Sequence, residues 1–259
     1  MRRTAAPKAH SPAARSAEGS SVSDEVAGWV RAARRLVVLT GAGMSAESGV
    51  PTFRDAQTGL WSRFRPEELA TEEAFRGRPE MVWDWYAERR ASIAQVQPNA
   101  GHLALAAYAQ RHPGRLTLVT QNVDGLHQRA ASPGVLALHG TIAEDRWLGP
   151  PRDCCRLDAA VPGRPPSCGG CGNLVRPAVV WFGEMLPADA LEAAEGAARA
   201  CDLMLVVGTS GAVYPAAGLA RLAAGRVVVL NPRPSELDDA ADRVVRGTAA
   251  QQLPQWLKD

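Results

Sequence analysis

Thr40-Gly41-Ala42-Gly43-Met44-Ser45-Ala46-Glu47-Ser48-Gly49-Val50-Pro51-Thr52-Phe53-Arg54 is the stretch on which the reading of this chain turns. It follows an apolar run, Leu36 to Leu39, of strand length. A strand that runs into a glycine-rich turn lets backbone N–H groups approach a pyrophosphate closely. The pattern is not GxGxxG, because Ala46 stands where that fingerprint has its third glycine. It closes instead on Pro51-Thr52-Phe53-Arg54, which puts an aromatic ring and a cation beside the ligand. The stretch therefore reads as a dinucleotide loop of an unusual kind.

Outward from the loop, further apolar runs occur at Leu116–Val119, Val135–Leu138, Leu203–Val207 and Val227–Leu230. They are continuous rather than alternating, as strands buried on both faces of a parallel sheet require. Helical stretches lie between them, at Ser23–Arg34, Gly101–Arg111 and Pro187–Ala200. The alternation predicts an α/β fold with a Rossmann-like, doubly wound parallel sheet. Ligands of such sheets sit beyond the carboxyl ends of the strands, which is where the polar motifs of this chain fall.

Two segments break the alternation. Residues 60–98 read as helical and aromatic, with Trp61, Phe64, Phe75, Trp83, Trp85 and Tyr86. Residues 145–178 are rich in Pro, Gly and Cys and lack apolar periodicity. That second segment is long for a plain loop and too poor in apolar residues to build a core. The two inserts are expected to form a smaller, cysteine-containing domain. The large domain would then take residues 23–59, 99–144 and 179–259, after a disordered tail at 1–22.

Composition excludes several classes. The net charge of +2 is too small to make nucleic acid the main partner. No apolar run approaches the ~20 residues of a membrane span. The first 22 residues carry one acid, Glu18, and no apolar core of a secretory signal. Lysine occurs only at Lys8 and Lys258. Together with the short tail, this reads as a bacterial, cytoplasmic protein, with an organelle transit peptide and a mitochondrial address as the alternative. Four of the five cysteines lie between 154 and 171, which suggests a metal cluster rather than a disulfide framework.

Four more motifs follow strands: Thr120-Gln121-Asn122-Val123-Asp124-Gly125-Leu126-His127, His139-Gly140, Gly208-Thr209-Ser210 and Asn231. With Phe182-Gly183-Glu184 and the opening loop, in this order, they resemble the sirtuin family of NAD-dependent protein lysine deacylases over about residues 24–255. The resemblance implies that the acyl oxygen of a modified lysine attacks the ribose of NAD as nicotinamide leaves. It also implies roles. Gly41, Ala42, Gly43, Ser45 and Glu47 would meet the cofactor. Phe53 would shield the nicotinamide site and Arg54 would lie near the phosphates. Gln121, Asn122 and Asp124 would line the nicotinamide and ribose pocket. His139 would be the general base, a task that suits a neutral imidazole. Gly208, Thr209, Ser210, Asn231 and the backbone of Ala249 would hold the adenosine end. Val180, Trp181, Phe182 and Gly183 would form an edge strand that pairs with the backbone of a protein or peptide substrate.

Tyr86 and Arg89 stand three apart on a helical stretch and share a face. They can be a core residue and a solvated cation, or together a site for a carboxylate. The segment resembles the Tyr-x-x-Arg of the class III sirtuins, which act on succinyl, malonyl and glutaryl lysine. Ala56 matches the small residue that admits a longer acyl chain there. The resemblance implies a deacylase that prefers acidic acyl groups and also removes acetyl groups. A plain deacetylase and a protein ADP-ribosyltransferase are the alternatives.

Members of the family carry two C-x-x-C pairs on a structural zinc. Only Cys168-Gly169-Gly170-Cys171 is in place. Counted from His139-Gly140, the first pair would fall at Trp147 and near Pro150, whereas the chain has a vicinal Cys154-Cys155. Adjacent side chains of extended backbone point opposite ways, so three arrangements stay open: zinc on Cys154, Cys155, Cys168 and Cys171; zinc on one of the vicinal pair, Cys168, Cys171 and a fourth ligand such as Asp153 or water; or no zinc.

Overall fold

A computed structural model describes residues 12–51 and 66–258 of the 259. Six strands form one sheet: β1 (Leu36–Thr40), β2 (Leu116–Thr120), β3 (Leu136–Ala137), β6 (Leu203–Val207), β7 (Arg226–Leu230) and β8 (Arg243–Val245). The spatial order is β3-β2-β1-β6-β7-β8 and every pairing is parallel. The chain winds outward from β1 in one direction and then from β6 in the other. The order thus reverses between β1 and β6, where an open α/β sheet leaves a crevice at its carboxyl edge.

The continuous apolar runs have the expected cause. Along β1, Leu36 and Val38 face one core and Val37 and Leu39 the opposite one. Helices α1 (Pro12–Ala32), α5 (Ala100–Arg111) and α9 (Ala249–Trp256) cover the first face with Val26, Leu105, Leu253 and Trp256. Helix α7 (Ala188–Ala200) and the short α8 (Leu219–Leu222) cover the second with Ala194, Ala198 and Leu219. Alanine on α7 lets that helix lie close to the sheet. Asn99 caps α5, accepting from the N–H groups of Gly101 and His102, and the His102 ring accepts from Asn99 N–H in return.

The second module has its own core. Helices α2 (Pro66–Leu69), α3 (Glu72–Gly77) and α4 (Pro79–Gln95) pack with two antiparallel strands, β4 (Gly140–Trp147) and β5 (Val175–Val179). Leu69, Phe75, Val82, Trp85, Tyr86, Ile142, Val179 and Trp181 are among its buried residues. The module therefore begins at Gly140, earlier than the expected 145, because β4 leaves the main sheet at once. Helix α1 starts at Pro12, inside the segment expected to be a disordered tail. Strand β8 carried no recognisable apolar run, with only Val244 and Val245 between Arg243 and Arg246. The remaining short helix, α6 (Leu126–Arg129), follows β2. Among the described residues no helix is long and apolar enough to cross a membrane.

Candidate active site

The glycines after β1 meet the glycine after β6. Gly41 N–H donates to Val207 O at 2.9 Å and Gly43 N–H to Gly208 O at 2.8 Å. A Cβ on Gly43 would come within 2.7 Å of Gly208 Cα, so the contact needs hydrogen on both sides. Two loops clamped at the switch point open a cavity of about 560 Å³. Gly41, Ala42, Gly43, Glu47 and Gly208 line one side of it, and Gln121, Thr209, Ser210 and Asn231 another. Gln121 Nε2 donates to Thr209 Oγ1 at 3.2 Å and Asn231 Nδ2 to Thr209 O at 2.9 Å, which ties the ends of β2, β6 and β7 together. At the C-terminal side the lining residue is Thr248, while Ala249 is buried against Gly101. Glu47 accepts from the N–H of Ala250 at 2.9 Å. Phe53, Arg54 and Ala56 lie outside the described residues.

Behind this wall lies a buried polar network with one hydroxyl at its hub. Ser45 O–H donates to Asp124 Oδ2 at 2.7 Å, and Asn122 Nδ2 donates to Ser45 Oγ at 3.2 Å and to Gly41 O at 3.0 Å. The other Asp124 oxygen accepts from Leu126 N–H. His102 Nδ1 is taken by Asn99 N–H, so Nε2 carries the proton and faces Ser45 Oγ at 3.4 Å. His127 packs on His102 with ring centroids 4.7 Å apart and Nε2 3.0 Å from Thr40 Oγ1. Burial lowers the pKa of His102 to about 4; burial, and then the neighbouring His102, lower that of His127 to about 3. Both rings are neutral spacers that hold the loop residues. His102 had no role in the sequence reading, and His127 appeared there only as part of a motif. A buried histidine leaves no trace in sequence beyond its letter.

His139 lines the same cavity. Its Nδ1 lies 2.9 Å from the carbonyl oxygen of Gln121, which can only accept, so Nδ1 carries the proton. Nε2, with no hydrogen-bond partner among the described residues, presents its lone pair. Burial lowers the pKa of the ring and the Gln121 carbonyl partly restores it. The neutral form is thereby favoured at pH 7, as a general base requires.

Tyr86 and Arg89, on α4, line the cavity with Trp181 and Phe182. Tyr86 Oη accepts from Trp181 Nε1 at 2.9 Å. The Arg89 guanidinium sits 5.0 Å from the Trp85 ring centre. Burial lowers the pKa of Arg89, and the Tyr86 phenol partly offsets that. No carboxylate among the described residues pairs with it. β5 ends at Val179, and beyond it Phe182 makes an isolated parallel bridge with Thr71 rather than a continuous strand over Val180–Gly183. Val180 N–H bonds His139 O, and Phe182 N–H bonds Ala70 O, each at 2.9 Å. Those donors are thus already used within the chain. Glu184 shapes this bend, accepting from Trp181 N–H at 2.8 Å and from the buried Arg176.

The vicinal cysteines converge with the second pair. The Sγ atoms of Cys154, Cys155, Cys168 and Cys171 all lie within 4.8 Å of one another, and Cys155 and Cys171 are 3.5 Å apart. A tetrahedral ion with Zn–S of about 2.3 Å needs sulfurs about 3.8 Å apart, so the set fits zinc. The segment is not extended: Cys155 N–H donates to Arg152 O at 2.7 Å, and this turn brings adjacent thiols to one side. The backbone N–H groups of Gly170 and Cys171 help lower the Cys168 thiol to about 7. Of the three arrangements, the geometry favours the one with four thiols.

A model of the Sir2 family matches residues 41–215. A protein of Ralstonia nicotianae named NAD-dependent protein deacylase is 60% identical over 234 residues, covering 88% of this chain and 93% of its own. A solved Sir2 homologue in complex with NAD matches at a TM-score of 0.80 and 41% identity, over 90% of this chain and 92% of that one. A solved Sir2–p53 peptide–NAD+ complex matches at 0.76 and 31%, over 88% and 94%.

Proposed function

The chain belongs to the Sir2 family, and on that premise we propose that it is an NAD-dependent protein lysine deacylase that prefers succinyl and malonyl groups and retains activity on acetyl-lysine. The observation that carries the proposal is a single cavity that joins the paired glycine loops, His139 and the half-buried Arg89, with which no carboxylate among the described residues pairs. The p53 peptide named with a Sir2 structure supports a protein or peptide substrate.

When bound, NAD would supply a ribose carbon that exchanges nicotinamide for the acyl oxygen; one water then enters as the lysine amine leaves, so that acyl-lysine, NAD and water would give lysine, nicotinamide and O-acyl-ADP-ribose. The paired glycine loops let the backbone approach the phosphates closely, the N–H groups of Gly41 and Gly43 themselves being bonded to Val207 O and Gly208 O. Asn122 and Asp124, held by Ser45, orient the ribose and nicotinamide end. His139 Nε2 takes a proton from a ribose hydroxyl. The apolar lining excludes water that would compete as nucleophile. Arg89 and Tyr86 receive the distal carboxylate of the acyl chain. A buried guanidinium that gains a carboxylate loses much of its desolvation penalty, and an acetyl group offers it nothing. Cys154, Cys155, Cys168 and Cys171 would hold a zinc ion with a structural role.

The test is nicotinamide release from one lysine peptide in succinyl and acetyl forms, with wild type and Arg89→Met. The expected result is a succinyl preference that Arg89→Met reduces by about 10- to 100-fold, the range of a charged hydrogen bond. An acetyl preference insensitive to Arg89→Met would leave only the general deacylase assignment.

A further inference from the structure

We infer that Trp181 is a positioning residue for acyl-group selection, because its indole N–H fixes the direction in which the Tyr86 hydroxyl can donate. This rests on the reading of Tyr86 and Arg89 as the site for an acidic acyl chain. The family resemblance gives Trp181 a backbone role only; the contact of its side chain with Tyr86 is made in the tertiary structure.

The indole is held on several sides. Trp181 is 2% exposed. The Arg176 guanidinium lies over its ring at 3.1 Å from the centre, and Phe75 packs at 5.2 Å with a 41° tilt. Its main-chain N–H is bonded to Glu184, which also pairs with Arg176. The ring therefore has one orientation, and in it Nε1 lies 2.9 Å from Tyr86 Oη.

The chemistry of the two groups sets the proton order. An indole nitrogen is a donor only, whereas a phenol oxygen both donates and accepts. Tyr86 must accept from Trp181, and its own O–H proton is left for another acceptor. Burial raises the Tyr86 pKa to about 12, so that proton is present throughout the working pH range. Tyr86 and Arg89 both line the cavity, and a ligand between them meets an O–H donor beside a cation. A carboxylate satisfies both; the methyl of an acetyl group satisfies neither. Without the indole N–H the hydroxyl proton is free to turn elsewhere, and the selection weakens while the cation stays.

The test is a double-mutant cycle with Trp181→Phe and Tyr86→Phe, read as the ratio of kcat/KM for succinyl and acetyl forms of one peptide. Trp181→Phe keeps an aromatic ring against Arg176 and Phe75 and removes the N–H. Each single variant should lower the ratio roughly five-fold, the loss of one net hydrogen bond. The double variant should fall no further than Tyr86→Phe alone. If Trp181→Phe lowers the ratio equally in the Tyr86→Phe background, Trp181 acts by packing and the inference is overturned. A Tyr86→Phe variant with an unchanged ratio overturns it as well, and does so without altering Trp181. If wild type prefers acetyl and Arg89→Met changes nothing, the reading beneath it fails too; a succinyl preference that depends on Arg89 but not on Trp181 sinks only this inference.

Discussion

Asp84 of α4 is paired with Arg164 of the cysteine-bearing segment, with Arg164 Nε donating to Asp84 Oδ1 at 3.0 Å. Asp84 lies two residues before Tyr86, and Arg164 four before Cys168. A second bridge runs from Arg90 to Asp145 and to the carbonyl of Glu144. The thiol cluster is thereby joined to the helix that carries Tyr86 and Arg89.

Loss of the metal should reach the acyl site through that joint. Cys168→Ser should lower bound zinc from about one ion per chain to near zero, and it should lower acyl selectivity along with stability. Gly170→Ala is the milder probe, since a Cβ there would lie 2.8 Å from Cys154 Cβ and 3.2 Å from its Sγ. Zinc content by mass spectrometry and the succinyl-to-acetyl ratio are the two readings. A full complement of zinc in Cys168→Ser would refute the four-thiol site.

His139→Ala should cut kcat by about 10²- to 10⁴-fold, the range of a lost general base, while NAD binding measured by calorimetry is retained. In wild type the acid limb of the kcat/KM profile should have its midpoint below 6.5, because burial favours the neutral ring. A midpoint above 6.5 would assign the limb to another group.

The contacting, mutually tilted rings of His102 and His127 make stability depend on pH. Both folded-state pKa values, about 4 and about 3, lie below the ~6.5 of an unfolded histidine. The unfolded chain takes up these protons first, so stability falls as pH drops below 6.5 and continues to fall toward 4. The slope contribution is about 1.4 kcal/mol per pH unit for each ring. Urea unfolding at several pH values between 5 and 6 measures it. His127→Asn should reduce the slope by about one proton, and an unchanged slope would contradict the burial argument.

Gly43→Ala should abolish the approach of the two loops, because the added carbon would fall 2.8 Å from Gly208 O. Overpacking of this kind costs about 1–3 kcal/mol. Thermal unfolding and NAD affinity should both fall; a variant that binds NAD normally would show that the loops do not form the phosphate cradle.

The sheet was legible because a strand buried on both faces needs a continuous apolar run, and Leu36–Leu39 and Leu203–Val207 supply it. The place of the site was legible for a related reason: ligands of such sheets gather at strand ends, so Gly41, Asn122, His139 and Gly208 are neighbours whatever the loops between them do. Strand β8 was not legible, since an edge strand with two valines needs little apolar sequence. The break after Val179 was not legible either, because it depends on a pairing between Phe182 and Ala70 across the chain.

What only the tertiary structure decided is the direction of side chains. Trp181 reaches Tyr86 across 95 residues, Ser45 joins Asp124 across 79, and a turn at Arg152–Cys155 brings two adjacent thiols to one point. Spacing along a chain sets which residues share a face of a helix or strand. It does not set which faces meet, because that follows from how separate elements bury their apolar surfaces together.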